Sequence, residues 1–109
     1  MKTKRGDLLH GTLEMLILRS LVDGPMHGYG ITERLQDVSG NVLSVEEGSL
    51  YPALYRMQKR GWLISEWGRS ENNRKARFYT VTAKGRRRLE EFAARWAEFS
   101  EAVGRAMTP

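Results

Sequence analysis

Residues 48–61 read Gly48-Ser-Leu-Tyr-Pro-Ala-Leu-Tyr-Arg-Met-Gln-Lys-Arg-Gly61. Leu50, Leu54 and Met57 recur at i, i+4 and i+7, the spacing that lines one face of a helix and marks it for burial. Ser49, Arg56, Lys59 and Arg60 fall on other faces, and Tyr51 and Tyr55 flank the apolar stripe. Two starts compete for this helix. Ser44 with Glu47 forms a capping box, whereas Ser49 as the cap would place Pro52 inside the first turn, where its missing N–H costs nothing. With the earlier start, Pro52 sacrifices one backbone hydrogen bond. Gly61 supplies the exit in either case.

Upstream, residues 8–22 predict a helix with Leu9, Leu13, Leu16, Ile17 and Leu21 on one face. Met15, Leu18 and Val22 leave little of the opposite face polar, so this helix is expected to be buried on most sides, in its own core or against a second subunit. Asp23-Gly-Pro25 ends it. A second helix is expected to begin near His27-Gly-Tyr-Gly30, to carry Ile31, Leu35 and Val38 inward, and to stop around Ser39-Gly-Asn41. A short extended piece, residues 42–45, leads into the third helix.

Downstream, residues 63–67 alternate at period two, and residues 78–81 do so again. Ten residues rich in Gly, Ser, Asn and charge separate them. Two short strands around a polar tip make a hairpin, and three helices followed by a hairpin give an α+β, mainly α, winged helix-turn-helix with the hairpin as the wing. Thr82 is a good N-cap for a last helix reaching about Met107. Leu89, Phe92, Trp96, Phe99 and Val103 follow at spacings of 3, 4, 3 and 4, an a/d seam that predicts pairing with a second copy. Packing back on the chain's own core is the alternative. The chain therefore divides into residues 1–82, a winged helix-turn-helix DNA-binding domain, and residues 83–109, a dimerisation helix.

With 109 residues, 40% hydrophobic and 28% charged, the chain suits one modest globular core and is too short for two. It holds no cysteine, so disulfides and thiolate metal sites are excluded. The basic start is not followed by a signal-peptide core and no apolar run reaches spanning length, which predicts a cytoplasmic protein without a membrane partner. Of the net charge of +5, residues 69–88 carry +7, from eight basic residues (Arg69, Arg74, Lys75, Arg77, Lys84, Arg86, Arg87 and Arg88) against Glu71, leaving −2 elsewhere. Such a concentration is the usual footprint of phosphate binding.

Within that plan, Arg56 and Lys59 are candidates for base edges or phosphates in a major groove, which admits one helix. Solvating the outer face of a core helix is the plainer role for both. Tyr51 and Tyr55 can pack their rings and offer hydroxyls to phosphate, or simply pack. Arg74, Lys75 and Arg77 are placed at the wing tip, against phosphate or a minor groove. Trp96, if the last helices pair, gives two facing indoles that could wall a planar hydrophobic ligand; filling the dimer seam is the alternative. Chemistry is poorly represented. Gly28-Tyr-Gly30 lacks a third glycine and a preceding strand, and His10 and His27 lie in different elements. Glu46 and Glu47 favour a helix N-terminus through its dipole rather than acid–base work. No enzyme and no cofactor are expected.

Taken together, Thr12-Leu-Glu-Met-Leu-Ile-Leu18, His27-Gly-Tyr-Gly-Ile31, Gly48-Ser-Leu-Tyr-Pro-Ala-Leu54, Arg60-Gly-Trp-Leu63, Arg77-Phe-Tyr-Thr-Val-Thr82 and Ala83-Lys-Gly85 resemble the PadR family of transcriptional regulators, in its short type with one C-terminal helix. The resemblance implies a homodimer that represses transcription at a pseudo-palindromic operator in double-stranded DNA and is released by a small molecule or another signal. It maps the family's Leu-Tyr-Pro segment onto Leu50, Tyr51 and Pro52 of the recognition helix and its basic wing tip onto Arg74, Lys75 and Arg77; Ser49, from the residues alone, joins Tyr51 and Pro52 as a candidate DNA contact. Short relatives that sense several drugs carry a tryptophan placed like Trp96, whereas phenolic-acid sensors are longer, so their ligand class does not transfer. Symmetry then requires two recognition helices about 34–36 Å apart and an inverted-repeat operator. The competing readings are a winged-helix module for protein or RNA, and a small-molecule binder using an aromatic dimer pocket.

Overall fold

The computed structural model describes residues 5–109, with side chains from residue 11 onward. The expectations for Leu9, His10 and the basic first residues lie outside the described side chains. In chain order the elements are α1 (Arg5–Leu21), β1 (Met26–His27), α2 (Gly28–Val38), α3 (Glu47–Lys59), β2 (Leu63–Arg69), β3 (Lys75–Val81) and α4 (Ala83–Met107). The strands form one antiparallel sheet in the order β1-β3-β2. This is the winged helix-turn-helix plan with a long terminal helix.

One core joins the helices to the base of the sheet. Leu50, Ala53, Leu54 and Met57 of α3 are fully buried with Ile17 and Leu18 of α1, Ile31 of α2 and Leu63 of β2 close around them. Each large side chain so placed contributes about 1.5–3 kcal/mol of transfer free energy. The stripe read from residues 50, 54 and 57 therefore fixes which side of α3 faces outward. In α1, Ile17, Leu18 and Leu21 are buried while Leu13 and Leu16 pack against the core edge.

Several local expectations are corrected. Helix α3 starts at Glu47 with Glu46 as its cap, and the Glu46 side chain makes no capping bond. Neither Ser44 nor Ser49 caps it; Ser49 is already helical and Pro52 sits inside the helix. The orphan N–H groups of Ser49 and Leu50 both reach the Glu46 carbonyl, at 3.0 and 2.9 Å, so the turn closes through backbone alone. Val38 is 67% exposed, because α2 tightens there into its exit instead of turning that side chain inward. The Gly40 and Asn41 N–H groups cap the Asp37 and Gln36 carbonyls, a Schellman ending that takes the last turn off the core. Helix α3 ends in the same way: Gly61, with φ of 80°, donates to Gln58 O and Trp62 donates to Met57 O. Strand β1 was not foreseen; its two residues pair with Tyr79 and Phe78.

The hairpin ladder runs from Leu63–Val81 to Arg69–Lys75, so the expected ten-residue tip shrinks to a tight turn. Ser70 N–H bonds Arg74 O, Asn73 N–H bonds Ser70 O, and Asn73 takes the left-handed conformation that asparagine tolerates. At the other end of β3, the Thr82 hydroxyl accepts from Gly85 N–H at 3.0 Å, which confirms it as the cap of α4.

The proposed seam of α4 divides. Leu89 and Phe92 pack on the chain's own core, with the Phe92 ring edge-on to Trp62 at 6.1 Å between centroids. Trp96, Val103 and Met107 lie exposed further along. The packing is closest where α4 begins: Gly85 is buried against the Trp62 carbonyl oxygen and Val81. Gly85→Ala would drive a methyl into backbone that cannot yield, and a loss of about 2–3 kcal/mol is expected in urea unfolding.

Candidate nucleic-acid interface

The outward side of α3, opposite the buried stripe, carries Gly48, Pro52, Tyr55 and Lys59, with Ser49 and Tyr51 toward its flanks. Tyr55 is 65% exposed and the Lys59 ammonium sits 5.4 Å over its ring. No ion pair holds either residue among the described residues. Tyr51 has a second role: its ring and hydroxyl end lie where a side chain on Gly28 would project, wedging α3 against the start of α2. Burial raises the Tyr79 phenol above its ordinary value of 10.0, opposed by Arg77 and reinforced by Tyr51. Tyr51 thus combines the packed and the exposed roles that its position on the stripe's flank left open.

Arg56 turns away from that surface. Its Nε lies 3.8 Å from a carboxylate oxygen of Glu14, which is only 6% exposed, and Arg60 approaches the same oxygen at 3.8 Å. Arg60 also covers the Trp62 ring at 5.2 Å. A carboxylate at the edge of the core requires compensating charge, and these two guanidiniums supply it from the last turn of α3. The Arg56 side chain thus serves an ion pair that neither expectation for it included, and keeps about a third of its surface in water.

The basic window also splits. Arg86 donates to the Val22 carbonyl at 3.2 Å, while Arg88 stacks on Phe92 at 4.0 Å and Trp62 at 5.3 Å and pairs with Glu91 at 3.1 Å. Those charges tie α4 to the domain. Arg69, Arg74, Lys75 and Arg77 remain on the wing; the Arg74 carbonyl accepts from Ser70 N–H and the Arg69 guanidinium donates to the Asn73 carbonyl at 3.3 Å, both within the turn, while Lys75 and Arg77 stand on β3. Trp67, exposed on β2 between them, escaped the sequence reading, whose attention to charge passed over the alternation that places it opposite Arg77.

A helix with a free outer face beside a basic hairpin is the arrangement of winged DNA-binding regulators. Residues 17–91 match the model of the transcriptional regulator PadR-like family. The chain belongs to the PadR-like family of transcriptional regulators. A PadR-like regulator of Bacillus cereus has 32% identity and a TM-score of 0.78, the match covering 94% of this chain and 97% of that one. A transcriptional regulator of Mycobacterium tuberculosis is 37% identical over 75 residues, 69% of this chain and 66% of that protein. Bacillus subtilis PadR, solved with operator DNA, shares the fold at a TM-score of 0.67 and 24% identity, across 75% of this chain and 47% of that one. The family match stops at residue 91, short of Trp96 and Val103. As in the rest of this family, the activity is transcriptional regulation.

The charges around Glu14 give an asymmetric expectation. Replacing Arg56 and Arg60 together by alanine strands a buried carboxylate and should cost on the order of 2 kcal/mol, a value reduced by the partial exposure of both guanidiniums. Glu14→Gln leaves two arginines that water can solvate and should cost less. Chemical denaturation of the two variants, compared at neutral pH, measures the difference.

Proposed function

We propose that the chain is a homodimeric repressor that binds an inverted-repeat operator in duplex DNA, with α3 in the major groove and the wing on the adjoining backbone. The observation that carries this reading is the outer face of α3: Tyr55 and Lys59 stand free of the core and, among the described residues, of any carboxylate, beside a wing that presents Arg74, Lys75 and Arg77. Ser49, Tyr51, Pro52 and Tyr55 contact base edges or adjacent sugars, and Lys59 takes phosphate. Arg56 contributes only if it leaves Glu14, so it is the weakest member of the set.

The dimer reading rests on α4. Past Phe92, Trp96, Phe99 and Val103 continue the apolar spacing, and Trp96 and Val103 each keep about two fifths of their surface exposed. Trp96 is 42% exposed and lies 6.2 Å from Phe99, an aromatic pair that a second copy would cover. In the paired form two Trp96 rings flank the symmetry axis, and a planar hydrophobic effector between them would change the separation of the two α3 helices and release DNA. The cytoplasm is the compartment such a regulator occupies.

Arg74→Ala and Lys75→Ala should each weaken binding to every duplex and lower the slope of log K against log salt by about one, while Tyr55→Ala should reorder affinities among operator variants. Unchanged slopes would remove the wing from the phosphates, and equal losses on all variants would reduce Tyr55 to positioning. In sedimentation, the wild-type chain should run as a dimer at micromolar concentration and Val103→Glu as a monomer. A monomeric wild type would overturn the paired operator together with the seam.

A further inference from the structure

Trp67 pairs with Arg77 across the hairpin, and Arg69 pairs with Lys75. All four side chains therefore share one face of the wing, the face whose base, Leu63 and Val81, lies in the core. Beyond Ser65 and Tyr79 that face runs out of the core into solvent. There Trp67 is 58% exposed, with the Lys75 ammonium 4.8 Å and the Arg77 guanidinium 5.1 Å from ring centroids. None of Arg69, Lys75 and Arg77 is ion-paired among the described residues; Glu66 projects from the opposite face and Glu71 belongs to the turn. An exposed indole bearing two cations and bordered by a third joins an apolar surface to concentrated positive charge, which suits an anionic partner.

This face is also fixed relative to α3. Arg77 Nε donates to Ser65 Oγ at 2.9 Å, and Ser65 Oγ donates to Gln58 Oε1 at 3.1 Å. Gln58 precedes Lys59 on α3, so a two-bond relay joins the wing platform to the recognition surface. The Arg77 guanidinium still has N–H groups to spend after donating through Nε.

Resting on the DNA-binding reading above, we propose that Trp67 is the centre of a DNA-backbone site on the wing. Deoxyribose edges pack on its indole while phosphate oxygens meet Arg69, Lys75 and Arg77, and Ser65 is a positioning residue that holds the platform in register with α3. The wing then grips the strand bordering the groove entered by α3 with the face of its ladder, and Arg74 at the tip turn adds a phosphate contact beyond it.

The test uses the full chain and a mixed-sequence duplex of about three helical turns, ~30 base pairs. Trp67→Ala should weaken binding roughly tenfold with the salt slope near wild type, because it removes an apolar contact and loosens two cations without deleting a charge. Trp67→Phe should stay within about threefold, and Ile64→Ala, on the opposite face, within about twofold. Ser65→Ala should fall between these, and Ser65→Thr should restore binding. In the unmutated protein, the Trp67 indole N–H resonance, assigned by its disappearance in Trp67→Phe, should shift when duplex is added. Wild-type affinity in Trp67→Ala, or an unmoved Trp67 resonance in a formed complex, would overturn the platform and leave DNA binding intact. Failure of the wild-type chain to bind any duplex would overturn the DNA-binding reading itself.

Discussion

Thr82 is where the architecture is tied together. Its hydroxyl donates to the Gly61 carbonyl at 2.7 Å and accepts from Gly85 N–H, while its own N–H bonds the Trp62 carbonyl at 3.0 Å. One residue thereby joins the exit of α3, the root of β2, the end of β3 and the start of α4. Gly85 allows α4 to press against the Trp62 backbone, which no side chain would permit. The direction of the terminal helix relative to α3 follows from this junction. Any signal that moves α4 is delivered at the root of the wing and at the end of α3.

Around that junction the molecule spends its positive charge in two ways. Arg56 and Arg60 compensate Glu14, Arg60 and Arg88 lie on Trp62, and Arg86 caps a carbonyl at the end of α1. These groups buy the fold its polar and aromatic closure. Lys75 and Arg77 of the wing, and Lys59, instead rest on exposed rings with no carboxylate partner among the described residues. Net charge therefore overstates what is free to meet a polyanion, and the geometry separates the two populations.

The sequence made the helices legible where burial enforces periodicity: residues 50, 54 and 57 are all fully enclosed. The Thr82 cap was legible because a hydroxyl there has one obvious use. The start of α3 was not, since it closes through the Glu46 carbonyl and leaves two serine candidates idle. Val38 fits the helical spacing but falls in the turn where α2 leaves the core. The two residues of β1 are too few for alternation to register. At the candidate interface, Tyr55 and Lys59 were visible from the helix, whereas the engagement of Arg56 by Glu14 depends on a contact between residues far apart in sequence. The hairpin was found but shortened by reading its polar residues as loop, which hid the ladder face carrying Trp67. Family membership was legible from motif order, and residues 17–91 bear it out.

The ladder that continues to Arg69–Lys75, closed by a turn held at both ends, has a thermodynamic corollary. A long loose tip would have to be ordered at the moment of association, with an unfavourable entropy for each residue fixed. Here that ordering is complete before any partner arrives. Association should consequently carry a heat-capacity change scaled to the surface the partners cover, without the larger change that accompanies folding on contact. The wing's reach is set by the length of its ladder, from Leu63–Val81 to Arg69–Lys75.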